Sequence, residues 1–497
     1  MIFFHIKIYE RRKKAMSKLE NLEPDRVFHF FEEIASIPRG SYHTKSISNY
    51  LANFAESRGL EYYQDDTNNV VIIKEAAEGY GDLEPVILQG HMDMVCEKES
   101  GCEIDFLNDG LDLYVEGDFL KARGTTLGGD DGIALAYALA ILDSQNLKHP
   151  RIEAVFTTNE EVGLLGAKDI DLSMLKGRIL LNIDSDVEGH FLTSCAGGLS
   201  AHSHIPVEYH TLQGVGISIK LFGLSGGHSG GEIHKEHCNA AIAMGRILKE
   251  IEEKCPVGLC ELSGGLKDNA IPREGEALIA VPGEAKDTVL SVLHTLEGIL
   301  KKEYDVSEPK LALLVQVLET KEYSVLKPAS MQRVLFYLRN VPDGVMHKSL
   351  HIENLVETSL NLGIMELKGE EFYTCTSVRS SVSTRKEELA KRLCYLVEFL
   401  GGEFEIEGDY PAWEYRSESK LREKISQVYK EMYGKEPVFE AIHAGLECGI
   451  LSEKIPDLDA VSFGPDNFDI HTPKERLSIS STKRVWEFLT GFLEKAR

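Results

Sequence analysis

The sequence has no uninterrupted apolar run near the roughly 20 residues that a membrane-spanning helix requires, so no helical span is expected. It has no Cys-x-x-Cys pair among its nine cysteines, and the number is odd. That removes a disulfide framework and fits a reducing, cytoplasmic compartment. Positive charge is scarce: 54 Lys and Arg stand against 80 Asp and Glu, for a net charge of -26. A general binder of nucleic acid or of anionic membranes is therefore excluded. The first stretch, MIFFHIKIYERRKKAMSKLENL, has its basic residues after the apolar ones and no small-residue cleavage site, the reverse of a secretory signal. Residues 1–15 read as a disordered extension ahead of an initiator at Met16. Low-complexity linkers are absent too, so the domains are expected to dock firmly.

What is present is an ordinary soluble composition, 43% hydrophobic and 27% charged, in 497 residues. That length is too great for one compact core. Residues 22–59 read as amphipathic helices. Three apolar runs follow, PVILQGHMD (85–93), RIEAVFTTNEE (151–161) and GRILLNIDSD (178–186), and each ends in acidic or histidine residues. Between the first two, GGDDGIALAYALAILDSQN is a glycine turn running into a strongly apolar helix. Alternating strands and helices predict an α/β domain with a mostly parallel central sheet flanked by helices. From about residue 200 the texture changes to longer strands and amphipathic helices, GVGISIKLFG, CNAAIAMGRILKEIEEK, GEALIAVPG and DTVLSVLHTLEGILKK. A second series follows, read as starting at LALLVQVLE. This predicts an inserted α+β lid domain over 200–408, consistent with internal duplication. The catalytic domain then occupies 16–199 and 409–497.

The polar groups at the strand ends form a set: His91 and Asp93, Asp130 and Asp131, Glu160 and Glu161, Asp184 and Asp186, then His471 in DNFDIHTPKE. Imidazole with carboxylate and no cysteine suits a divalent ion such as zinc, manganese or cobalt. Crowded carboxylates repel unless a cation or protons lie between them. Asp130 and Asp131 also suit a helix N-cap and first-turn acid, although the two preceding glycines favour close approach to a ligand. His234, His237 and Cys238 in EIHKEHCNA have helical spacing and read as helix-face residues. GLSGGHSGG lacks the strand-turn-helix context of a G-x-S-x-G nucleophile elbow, so a serine nucleophile is not supported.

The strings GHMDMV, TLGGDDGIALA, TTNEEVGLLGA, NIDSD, GGHSGGEIH, NAIPREG, HAGLECG and GPDNFDIHTP, in this order, resemble the di-zinc metallopeptidases that include carboxypeptidase G, tripeptidase T and carnosinase. Within them the chain is most similar to the aminoacyl-histidine (Xaa-His) dipeptidase branch. The resemblance implies two divalent metal ions, zinc before manganese or cobalt. His91 and Asp184 would hold one, Glu161 and His471 the other, and Asp130 would bridge. It makes Asp93 the partner that orients the His91 ring, Glu160 the general base and His228 the oxyanion donor. Arg379 would take the substrate carboxylate, with Asn269 helping, and His443, Glu447 and Gly464 would line the pocket from the catalytic side. The implied substrate is an unblocked dipeptide. A tripeptidase or an N-acyl amino acid deacylase is the alternative in the same superfamily, and a non-catalytic binding protein is the alternative from another class. In many relatives the lid histidine comes from the partner subunit, so the resemblance also allows a homodimer through the lid.

Overall fold

The computed structural model of the protein describes residues 18–495; the expectation for residues 1–15 and Met16 lies outside them. The chain forms two compact units. The first runs to Thr193 and adds Tyr415–Ala441 and the segment from Leu446 onward; the second comprises Ser194–Glu414 and Ile442–Gly445.

The first unit is built on an eight-stranded sheet in the order Glu61–Gln64, Val70–Lys74, Ile152–Thr157, Val86–His91, Ile179–Asn182, Asp459–Ser462, His190–Cys195, Val438–Ile442. The four strands from Ile152–Thr157 to Asp459–Ser462 run parallel, and their flanking neighbours Val70–Lys74 and His190–Cys195 pair antiparallel. Val86–His91 and Ile152–Thr157 are buried at every position. That is why their sequences are mainly apolar rather than alternating. The helix Gly129–Asp143 is likewise apolar on all sides and shares one core with the helix Asp25–Ala35. Register pairs His91 with Thr157, and Gln89 with Asn182. The parallel strands therefore release their polar followers along one edge, the carboxyl ends where ligands collect in such sheets. A four-stranded sheet that includes Phe119–Ala122 contains the hairpin Asn467–Phe468 and Arg476–Ser478, and its connecting loop carries His471.

The second unit is a nine-stranded antiparallel sheet over a separate core. Tyr209–Phe222, helix Ala240–Glu252, Gly258–Gly264, Gly275–Val281, helix Lys286–Glu303 and Ala312–Leu326 form one β-α-β-β-α-β series. Its strands lie in the order fourth, first, third, second. Gly197–Pro206, helix Pro328–Asn340, Val356–Lys368, Glu371–Ser380, helix Ser383–Phe399 and Glu403–Tyr410 form a second series in the same order. The two join edge to edge where Ser263 and Gly264 pair with Glu366 and Met365. The first series is thus nested between the first strand and first helix of the second. The strand Ala312–Leu326, read from sequence as opening the second series, closes the first. Of His234, His237 and Cys238, read as helix-face residues, only His234 lies in a helical turn, the short 3-10 helix Ile233–Lys235; His237 and Cys238 precede the helix that starts at Ala240. His237 instead pairs with Glu308 at 3.0 Å.

Candidate metal centre

His91 ends the buried strand Val86–His91 and is 1% exposed. Its Nε2 lies 3.0 Å from Asp130 Oδ1 and 3.9 Å from Asp184 Oδ1. The other oxygen of Asp130 lies 3.2 Å from His471 Nε2, which is also 3.0 Å from Glu161 Oε1. Asp130 thus faces a different imidazole with each carboxylate oxygen. Three sets of donor atoms lie within 4.8 Å of one another: His91, Asp130 and Asp184; Asp130, Glu161 and His471; and His91, Glu160 and Glu161. Among the described residues no such group occurs in the second unit.

The chain does bend back after His91. Met92 N donates to Thr157 O, and Met94 N to Arg39 O. The group nearest His91 Nδ1 is the Asp93 carbonyl at 3.1 Å, with the Asp93 carboxylate at 3.5 Å. Asp93 thus turns both its carbonyl and its carboxylate to the same ring nitrogen of His91. Its carboxylate accepts hydrogen bonds from Ser41 Oγ at 2.8 Å and Glu160 N at 3.1 Å. It thereby ties the turn carrying Glu160 and Glu161 to the strand end carrying His91. Asp131 turns inward, and its carboxylate accepts from His91 N at 3.2 Å.

The electrostatics follow from burial and crowding. Burial and the neighbouring acids Asp184, Glu447 and Glu161 raise the pKa of Glu160 well above the ordinary carboxylate value, against the opposing pull of His91. Burial and Asp131 do the same to Asp184. Burial resists the charge on His91, but the carboxylates of Asp130 and Asp93 outweigh it and raise its pKa. Hydrogen bonds to Asp130 and Glu161 push His471 up to about 10. Such imidazoles take up protons unless a cation replaces them, and carboxylate with imidazole is a donor set divalent ions accept. The residues fit a pair of ions that share Asp130.

The three residues expected to line the pocket from the catalytic side have these surroundings. Glu447 is fully buried and accepts from Gln89 Nε2 and from Thr157 Oγ1 at 2.7 Å, beneath the strand ends. Gly464 is a packing position: an added Cβ would come 1.8 Å from Ser185 O. His443 belongs to the second unit, where Ala196 N donates to Ala444 O at 3.0 Å and His443 Nε2 lies 2.7 Å from Ser359 Oγ. In that unit His228 is exposed, and its Nδ1 accepts from Gly230 N at 3.1 Å and Gly231 N at 3.0 Å. Partial desolvation of the ring by its neighbours and the nearby Arg379 lower its pKa, and with both amides on Nδ1 the neutral ring carries its proton on Nε2. Arg379 Nη1 donates to Tyr410 Oη at 3.0 Å. Asn269 is exposed beside His228, and its carbonyl accepts from Ser229 N at 2.9 Å. Two residues went unnoticed in the sequence, Arg39 and Glu475, both 2% exposed. The only local signal for Glu475 is its position four residues after His471 in HTPKE.

Residues 87–495 match the model of peptidase family M20/M25/M40. The chain is 35% identical to the cytosol non-specific dipeptidase of Escherichia coli (strain K12), across 97% of this chain and 99% of that one. The crystal structure of aminoacylhistidine dipeptidase from Vibrio alginolyticus superposes with a TM-score of 0.90 at 34% identity, covering 97% of this chain and 99% of that one. Aminopeptidase PepT from Bacillus cereus shares the fold, with a TM-score of 0.54 at 15% identity over 96% of this chain and 99% of that one.

Proposed function

The chain belongs to peptidase family M20/M25/M40, and within it we propose that the protein is a metal-dependent dipeptidase hydrolysing unblocked dipeptides, Xaa-His and β-alanyl-His types among them, in the cytoplasm. The observation that carries this reading is Asp130, whose two oxygens each face a different histidine, at 3.0 and 3.2 Å. That arrangement suits a carboxylate shared by two ions. His91 and Asp184 would hold one ion and Glu161 and His471 the other, with zinc the first choice and manganese or cobalt accepted by the same donors. Bound there, the ions supply Lewis acidity toward the peptide carbonyl and lower the pKa of water from about 15.7 towards roughly 7.

The protein's own groups do the rest. Glu160 takes the proton of the attacking water and returns it to the leaving amine. Asp93 holds the Glu160 amide and the His91 ring in register. From the second unit the reading takes His228 as oxyanion donor, because Gly230 and Gly231 occupy Nδ1 and leave Nε2–H free to donate. Arg379 takes the terminal carboxylate and Asn269 assists. Glu447 and Gly464 become supporting positions, and His443 braces the second unit.

Rates for Ala-His, a tripeptide and N-acetyl-His, measured side by side, test the substrate class. The dipeptide should be fastest; faster turnover of the acetylated compound would make the protein a deacylase, and of the tripeptide a tripeptidase. Glu160→Ala should lower kcat at least about 100-fold while metal content stays at the wild-type level. Full activity in that variant would refute the mechanism. Light scattering of the purified protein tests the homodimer that the resemblance allows.

A further inference from the structure

We infer that Glu475 is a positioning residue that sets the bridging carboxylate Asp130, with Arg39 as its counterpart of opposite charge; this rests on the dinuclear reading above. Four consecutive amides converge on the Glu475 carboxylate. Leu127 N and Gly128 N donate to Oε2 at 2.7 and 2.9 Å, and Gly129 N and Asp130 N donate to Oε1 at 2.8 and 3.3 Å. Asn467 Nδ2 adds a contact at 3.3 Å. Successive amides turned inward form a concave anion site, and here the anion is a side chain of the protein. Arg39 grips the same segment by its opposite polarity. Its guanidinium donates to the Gly128 carbonyl and to the carbonyls of Met92 and Asp93, the last two at 3.1 and 3.0 Å. Both residues are 2% exposed, where an unpaired charge would be costly.

The consequence is geometric. Glu475 stands four residues after His471 on one hairpin loop, and His471 itself has φ 60°, a conformation rare outside glycine. The loop that presents one imidazole to Asp130 therefore also holds the backbone from which Asp130 projects. Arg39 ties that backbone to the bend after His91, the other imidazole. All three segments that meet at the bridge are set by one buried acid and one buried base. A metal site tolerates donor displacements of only about 0.2 Å, and losing a residue that orients ligands typically weakens metal affinity about 10–100-fold.

The test is cobalt uptake by the chelator-stripped full-length protein, followed by calorimetry and by visible absorption, with the melting temperature of each apo-protein recorded. Wild type should bind two Co2+ ions per chain. Glu475→Gln should bind them about 10–100-fold more weakly with a changed absorption band. Glu153→Gln is the control. Glu153 is also fully buried and accepts from Lys176 N and Gly177 N, at 3.0 Å to each from Oε2, but near the opposite end of the strand Ile152–Thr157. It should bind cobalt as wild type does. If Glu475→Gln does not fold, Gly129→Ala decides, because a Cβ there would come 3.2 Å from Glu475 Oε1 and 2.9 Å from Asn467 Nδ2; it should weaken cobalt binding in the same way. Wild-type affinity and spectrum in the folded variant, or equal loss in Glu153→Gln, overturns the inference while leaving the dinuclear reading intact. A wild type that binds fewer than two ions overturns both.

Discussion

Burial acts on Glu160 and His443 in opposite senses, because it penalises whichever form is charged. It raises the carboxyl of Glu160. It lowers His443 to about 3, with Arg379 and His228 adding to the effect. The His443 shift has a definite consequence for stability. Between pH 6.5 and about 3 the unfolded chain gains a proton at this site and the folded one does not, so stability is lost as pH falls through that window. The slope is at most about 1.4 kcal/mol per pH unit. In urea titrations from pH 7 to pH 5, the stability of wild type minus that of His443→Asn should shrink on acidification; parallel lines would mean that the folded protein protonates His443. At this scale the convergence of His91, Asp130, Glu161, Asp184 and His471 was legible, because imidazole and carboxylate follow the apolar strands one after another. Arg39 and Glu475 were not. Each is an ordinary charged residue in sequence, and its partners lie up to 348 positions away.

The element that places Asp184 is the parallel pair Ile179–Asn182 and Asp459–Ser462, which stays in contact beyond its formal ends. Phe463 N donates to Asn182 O at 3.0 Å, and Ser185 and Ser462 share a hydroxyl contact at 2.9 Å. Gly464 completes this packing, since a Cβ would meet the Ser185 carbonyl at 1.8 Å. Gly464→Ala should therefore cost about 1–3 kcal/mol of stability by overpacking and weaken metal binding by moving the residue next to Asp184. Denaturant midpoints and metal titration of one preparation check both effects. Strands buried on both faces were legible as mainly apolar runs without polar alternation. The place of Ala312–Leu326 was not, because a strand's neighbours in a sheet are set by pairing across the chain rather than by order along it.

For the whole molecule, crowded carboxylates in a chain of net charge -26 make cation binding and folding interdependent. A ligand bound only by the folded state stabilises it by mass action. Chelation should thus abolish activity and lower the melting temperature, and added zinc should restore both; an unchanged melting temperature would argue that no ion resides at the centre. Composition and motif order by themselves determined that the protein is large, acidic and without a long apolar run, and that imidazole and carboxylate groups suited to divalent ions follow its apolar strands. Those properties reside in residue types and their local spacing. Only the tertiary structure decided that both the carbonyl and the carboxylate of Asp93 face the His91 ring, that Glu447 accepts from Gln89 and Thr157, and that Gly464 packs on Ser185. It alone nested one β-α-β-β-α-β series inside another and brought residues 39, 128 and 475 together. These outcomes depend on close packing and on satisfying buried polar groups between segments far apart in the chain, which local spacing does not encode.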